Sequence, residues 1–299
     1  SFIWKNENNN IVVTSFLGSD LQEFIVENNV PNVRYRYKLI YSLLRGLKCL
    51  YCKNCKHGII THCDLKLENL LVSNYYTDKN KNKVYYTYPN IKNNNVELKV
   101  FDISSEFNLK NNKTRKDHEC NTGTSTYISP ERQLNHDKYE IVKDDVWAIG
   151  VLIIEILLWR MYPKYNYILS KNEIYNYNLR WFDVIKSDIE GYDRESIIFK
   201  DDLLLDLLNK IFIKDKSYDN FISKKTKIDR KTLTKLHKED YRISFDELFK
   251  HPWIKNLEEK LNIKNSKLYR QKSSKKRNSK SKSKSSKKRN SKSKSSKKR

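Results

Sequence analysis

The chain has 299 residues, 38% of them hydrophobic and 32% charged, with a net charge of +24. Residues 264–299 hold 18 Lys and Arg and no acidic residue, which leaves +6 for residues 1–263, so net charge does not make the body of the chain a nucleic-acid binder. Six Gly and five Pro exclude collagen-like and proline-rich fibres, and five Cys, an odd number, exclude a disulfide framework, so a reducing intracellular compartment, cytoplasm or nucleus, is expected.

The chain opens on Ser1 rather than Met, in strand-like sequence, which suggests a fragment or a processed product. Ile11 to Thr14 is β-branched and reads as a strand. Asp20 is an N-cap candidate for a short helix through Val26. From about Arg34 to Tyr51, Leu39, Leu43, Leu47 and Leu50 recur at helical spacing, with Ile40 and Leu44 alongside; a buried helix is expected. Ile59 and Ile60 start an extended segment after a turn.

Residues 73–95 are rich in Asn, Lys and Tyr without apolar periodicity, and an exposed, mobile insertion is expected there. Val96 to Ile103 alternates like a strand, and Asn111 to Glu119 is a polar loop. Asp145 to Trp159 reads as a core helix; its longest apolar run, from Ala148, is broken by Glu155 and too short to span a bilayer. Asp201 to Phe212 is a second apolar helix, residues 214–240 a second polar insertion, and Ser244 to Lys250 a short helix stopped at His251-Pro252. The tail, 264–299, repeats Ser-Ser-Lys-Lys-Arg units, has almost no apolar residue, and is expected to be disordered.

The chemistry is concentrated in His62-Cys63-Asp64-Leu65-Lys66-Leu67-Glu68-Asn69, followed by Leu70-Leu71-Val72. An Asp, a Lys two residues on and an Asn five residues on suit phosphoryl transfer. The Asp can accept the proton of an attacking hydroxyl, the Lys can neutralise charge on the phosphoryl group, and the Asn oxygen can bind a hard cation. This stretch resembles the catalytic loop of the eukaryotic protein kinases, whose general form is H-R-D-L-x-x-x-N. Further segments follow in the family's order. Phe101-Asp102-Ile103-Ser104 is similar to the region of the metal-binding Asp-Phe-Gly, and Gly123 to Glu131 to the segment ending in Ala-Pro-Glu. Asp145-Val146-Trp147 resembles the start of the central buried helix, and Arg242 with His251-Pro252-Trp253 the closing region. Together these cover about residues 11–255.

The resemblance implies an α+β, protein-kinase-like fold: a mainly helical large lobe with a small β hairpin around the catalytic loop, plus the disordered basic tail. It divides the chain into residues 1–18 (end of the small lobe and hinge), 19–263 (large lobe with the two insertions) and 264–299. It implies Asp64 as catalytic base, Lys66 on the γ-phosphate, Asn69 and Asp102 as Mg²⁺ ligands, Thr14 as gatekeeper, and Ser15, Phe16 and Leu17 as the adenine-facing hinge, with ATP and Mg²⁺ as cofactors and a protein substrate. Lys66 is similar to the serine/threonine branch. Thr124 would hydrogen-bond near Asp64, Glu131 and Arg242 would form a buried ion pair, and Asp145 would anchor the catalytic-loop backbone.

The sequence also departs from the family. Cys63 replaces the Arg that receives an activation-loop phosphate, which disfavours Thr122 as a phosphosite. Ser104 replaces a Gly, Ile103 a Phe and Leu67 a Pro. Asp102 stands 38 residues after Asp64, a long interval that residues 73–95 account for. The Gly-rich loop, the strand Lys and its helix Glu have no counterpart, so this chain alone is expected to be inactive without a small lobe. Cys49, Cys52, Cys55 and His57 are spaced like metal ligands, but two of them fall on a helix and packing is the preferred reading. The alternative function is a pseudokinase or interaction scaffold whose tail, 264–299, binds nucleic acid or an anionic membrane.

Overall fold

The computed structural model describes residues 2–6, 9–13, 18–51, 59–86, 89–93, 95–102, 107–108, 124–134, 141–161, 181–193, 196–214 and 241–261. The strands are β1 (Phe2–Asn6), β2 (Asn9–Val13), β3 (Ser19–Asp20), β4 (Ile60–Thr61), β5 (Leu70–Thr77), β6 (Lys83–Tyr85), β7 (Val96–Val100) and β8 (Phe107–Asn108). The α-helices are α1 (Leu21–Glu27), α2 (Val33–Leu50), α3 (Pro130–Leu134), α4 (Ile141–Leu158), α5 (Trp181–Tyr192), α6 (Asp202–Ile211), α7 (Phe245–Lys250) and α8 (Pro252–Lys260). Residues Ser1–Lys255 form one compact unit and Asn256–Arg299 a second. The fold is α+β, mainly helical, as the sequence implies.

Two helices form the core. In α2 the leucines at 39, 43, 44 and 47 and Ile40 are buried, and Asn32 caps the helix by accepting from the Tyr35 N–H at 3.0 Å. Each such fully buried Leu or Ile contributes about 1.5–3 kcal/mol of transfer free energy. Helix α4 is buried around almost its whole circumference, as a helix packed on all sides must be. It begins at Ile141, one turn before the expected Asp145, so Asp144 and Asp145, each with a buried hydrogen-bond partner, lie inside the helix. At Gly150 a Cβ would stand 2.6 Å from Ile211 Cγ2 and 2.7 Å from Phe212 Cζ, so the glycine lets α6 approach α4 closely. Trp147 meets Phe212 edge-on at 4.9 Å in the same interface.

A small antiparallel sheet lies against α2. Strand β5 pairs with β7 from Leu70↔Val100 to Asn74↔Val96, and β3 adds Ser19↔Val72 and Asp20↔Leu71. Strand β4 pairs with β8 through Ile60↔Asn108 and Thr61↔Phe107. Ser42 on α2 bonds both the Leu98 carbonyl and the Leu98 N–H, which ties the helix to β7. Gly18 takes φ +115°, and a Cβ there would meet the Val72 carbonyl oxygen at 1.8 Å. The chain entering β3 therefore needs glycine both for its left-handed backbone and for its contact with β5.

Several expectations are corrected. The described residues within 73–95 are not an unstructured insertion. Strand β5 continues to Thr77 and pairs with β6 through Tyr75↔Tyr85, Tyr76↔Val84 and Thr77↔Lys83. Tyr and Thr are strong strand formers, and Asp78 caps the turn by accepting from the Asn82 N–H at 2.7 Å, while Lys81 takes φ 65°. Pro252 stops α7 but also starts α8, because proline suits the first helical position, whose N–H has no intrahelical partner. The expected strand ends at Val100 rather than Ile103, and α5 and β1 were not expected at all. No helix among the described residues is long and apolar enough to cross a membrane. Thr14 to Leu17, Ile103, Ser104, Thr122, residues 215–240 and the tail lie outside the described residues.

Candidate functional site

The site is built at the ends of β5 and β7. Their register sets Asn69 across from Phe101, and the Phe101 N–H donates to the Asn69 carbonyl at 3.1 Å. Asp102 follows directly, exposed and in left-handed backbone at φ 54°. Asn69, reached through a short 3-10 turn (Leu67–Asn69), is buried, and its side-chain N–H₂ donates to the Asp64 carbonyl at 2.8 Å and to Asp64 Oδ2 at 3.1 Å. Lys66 Nζ stands 3.3 Å from the same Asp64 oxygen. Asp64, Lys66 and Asn69 are thus in mutual contact, and Asp102 lies one residue beyond the strand pair that holds Asn69.

A buried carboxylate holds the loop from beneath. Asp145 Oδ2 accepts from the His62 N–H at 2.8 Å and from the Tyr51 hydroxyl, and Oδ1 accepts from the Cys63 N–H at 3.1 Å. Burial pushes the Asp145 carboxyl up and the Tyr51 bond opposes it; Tyr51 itself is raised by burial and then by the Asp145 charge, so the proton stays on the phenol. His62 bridges the two halves of the site. Its Nδ1 accepts from the Asp64 N–H at 3.3 Å, and its Nε2 contacts the Phe101 carbonyl at 2.9 Å. A backbone N–H can only donate and a carbonyl can only accept, so the ring proton is on Nε2. His62 is fully buried and braces the loop through these two bonds. Cys63, where the family has Arg, is buried, takes φ 67° and is disulfide-bonded, an exception to the expectation of reduced cysteines.

A second buried network joins the loop to the α3 region. Arg132 Nη1 donates to the Cys63 carbonyl at 3.0 Å and to Asp144 Oδ2 at 2.7 Å, while Asp144 Oδ1 accepts from the Ser129 N–H at 2.8 Å. Sequence reasoning missed this pair: Arg132 lies in the polar stretch Glu131-Arg132-Gln133 and Asp144 beside Lys143 and Asp145, so neither stands out as a buried charge. Thr124 and Asp64 line one small cavity with Leu65, Tyr127 and Arg132, which places Thr124 beside the loop. Tyr127 donates to Glu155 at 2.8 Å, and burial followed by that neighbouring carboxylate raises its hydroxyl pKa. The expected ion pair is present: Arg242 Nη2 lies 2.9 Å from Glu131 Oε2, with the side chains 0% and 1% exposed. Arg242 also donates through Nε to the Ile211 carbonyl at 2.9 Å.

The donor set fits a hard divalent cation. The Asn69 amide nitrogen is committed to Asp64, which leaves its oxygen as the ligating atom, and Asp102 supplies an exposed carboxylate. Among the described residues no cluster of three or more His, Cys, Asp or Glu forms a closed metal site. Cys49 is exposed and free, and Cys52, Cys55 and His57 lie outside the described residues.

The sequence profile of the family described as "Protein kinase domain" matches residues 1–254. Curated relatives agree with it. A probable serine/threonine-protein kinase MRK1 homolog of Encephalitozoon cuniculi is 25% identical over 144 residues, 48% of this chain and 36% of that protein. The dual specificity protein kinase FUZ7 of Mycosarcoma maydis is 30% identical over 52% of this chain and 33% of its own length. Mitogen-activated protein kinase 5 of Arabidopsis thaliana is 26% identical over 52% of this chain and 34% of its own length. These matches span about a third of the length of the relatives.

Proposed function

Because the chain belongs to the protein kinase domain family, we propose that the protein transfers the γ-phosphate of ATP to Ser and Thr hydroxyls of protein substrates. The observation that carries this reading is the convergence of Asp64, Lys66 and Asn69, with Asp102 one residue beyond Phe101, which bonds Asn69. In this reading Asp64 accepts the proton of the substrate hydroxyl, held in place by the Asn69 amide and by its own N–H on His62. Lys66, already 3.3 Å from Asp64, would turn its ammonium to the transferred phosphoryl group. Asn69 and Asp102 would hold Mg²⁺, whose contribution when bound is to neutralise charge on the ATP phosphates. Thr14, Ser15, Phe16 and Leu17 are proposed as the adenine-facing hinge, on the strength of the family resemblance alone.

The test is Asp64→Asn in the full protein, assayed for radiolabel transfer from ATP to a protein substrate. Loss of at least ~10²-fold in rate is expected for removal of a general base. Transfer at the unmodified rate by a folded variant would remove Asp64 from that role. A second reading, a binding scaffold, is favoured by Cys63, which cannot act as the phosphate-receiving arginine. Retained partner binding with no transfer by the unmodified protein would select it.

A further inference from the structure

The segment that lengthens the Asp64 to Asp102 interval builds a surface of its own. In antiparallel sheets, residues directly opposite share a face. The pairs Leu71↔Lys99, Ser73↔Glu97, Tyr75↔Tyr85 and Thr77↔Lys83 therefore present one common face of β5, β6 and β7. Ser73 is small, and Glu97 and Lys99 of β7 reach across it to the ring of Tyr85 on β6. The Lys99 ammonium stands 3.7 Å from the Tyr85 ring centre, and the Lys83 ammonium 4.3 Å from that of Tyr75. The two rings meet edge-on at 6.0 Å. Arg45 of α2 is exposed, stands 5.9 Å from the Tyr41 ring centre, and is near enough for its charge to act on both Lys83 and Tyr75.

Lys83 and Lys99 on this face, with Arg45 near them, thus share one carboxylate among the described residues, Glu97, which bonds Lys83 and the Tyr85 hydroxyl. Among the described residues no carboxylate pairs with Lys99 or Arg45. Burial, then Arg45 and Lys99, hold the Lys83 ammonium below its usual range, so an arriving anion relieves repulsion as well as making new bonds.

We propose that this face docks an acidic segment of a protein partner, with Lys83, Lys99 and Arg45 taking its carboxylates between the rims of Tyr75 and Tyr85. Charge complementarity argues for the acid. The rings argue against a nucleic acid: stacking needs an open aromatic face, and here each ring already carries a cation over a face and meets the other edge-on. What the surface offers outward is a set of N–H donors, which suits carboxylates on an extended chain. That the docked partner is also the phosphorylation substrate rests on the kinase reading; that an acidic segment binds does not.

The test uses the full-length chain, a fluorescent peptide of alternating Asp and Glu, its Asn/Gln counterpart, and a single-stranded oligonucleotide of equal charge. Binding is read by anisotropy and mapped by amide hydrogen exchange. The acidic peptide is expected to bind, to weaken with added salt, and to slow exchange at residues 75–86, while the Asn/Gln peptide does not bind. Lys83→Glu with Lys99→Glu, the first exposed and the second half-buried, is expected to raise the Kd about tenfold, the scale of two lost ion pairs and two added repulsions. Asp64→Asn is expected to leave this binding unchanged, so failure of the catalytic reading is seen separately. Equal affinity in the double variant would assign the binding to the basic tail and overturn the proposal. Absence of protection at 75–86, absence of binding, or tighter oligonucleotide binding abolished by the same double substitution would also overturn it.

Discussion

Replacing Asp145 by Ala isolates the energetics of the buried carboxylate under the catalytic loop. Three donors lose their acceptor at once: the His62 N–H, the Cys63 N–H and the Tyr51 hydroxyl. Hydrogen bonds to a charged acceptor contribute about 1.5–3 kcal/mol each, a gross loss of about 5–9 kcal/mol. Opposing this, removal of a buried charge recovers several kcal/mol of desolvation cost, and the repulsion from Asp144 disappears with it. The lost bonds win, because two of the orphaned donors are backbone groups with no route to water, and a net loss of about 2–4 kcal/mol is expected. Urea unfolding of the variant against the unmodified chain measures it as a shift in midpoint at constant slope. In the full protein the same substitution is expected to lower the proposed phosphotransfer, since His62 and Cys63 precede Asp64 directly. A stability change under 1 kcal/mol would refute the balance drawn here and mean that desolvation cancels the three bonds.

Two further outcomes concern the framework. Gly18→Ala, which drives a Cβ against the Val72 carbonyl at a left-handed φ, is expected to cost at least about 2 kcal/mol, read as a lowered Tm; an unchanged Tm would mean the β3 entry relaxes freely. Glu247 closes a capping box by accepting from the Ser244 N–H at 2.8 Å, and the Ser244 bonds hold its carboxyl below the usual 4.5. A depressed carboxylate stabilises the fold above its unfolded pKa and loses that contribution as pH falls through the folded value. The stability difference between the unmodified chain and Glu247→Gln is therefore expected to shrink below pH 4.5; a difference constant with pH would contradict the capping role.

Much of the scaffold was legible because its signals are local. The leucines of α2, the apolar run of α4 and the cap residue Asp20 each report a nearest-neighbour preference. The order of motifs made Asp64, Lys66, Asn69 and Asp102 readable in one dimension, and the strand register then brings them to one end of the sheet. The β5–β6 hairpin was missed because Asn and Lys dominate its composition, although its strands are written in Tyr, Thr and Val. Helix α8 was missed because Pro252 was weighed as a stop and not as a start. The Arg132–Asp144 pair was invisible because long-range pairing of charges leaves no periodic trace. The hinge residues Thr14 to Leu17 depend on resemblance and are not among the described residues.

Strand β5 also works as a ruler. Asn69 adjoins its first residue, and Tyr75 lies six residues further along it. At about 3.3 Å per residue the separation is about 20 Å. A substrate that met both ends would need its acidic segment at least about six residues from the hydroxyl it offers to Asp64. Shortening that spacer would disconnect capture from chemistry: the peptide would still bind, but its hydroxyl would never arrive. Spacer length, more than the residues around the hydroxyl, would then decide which proteins are modified.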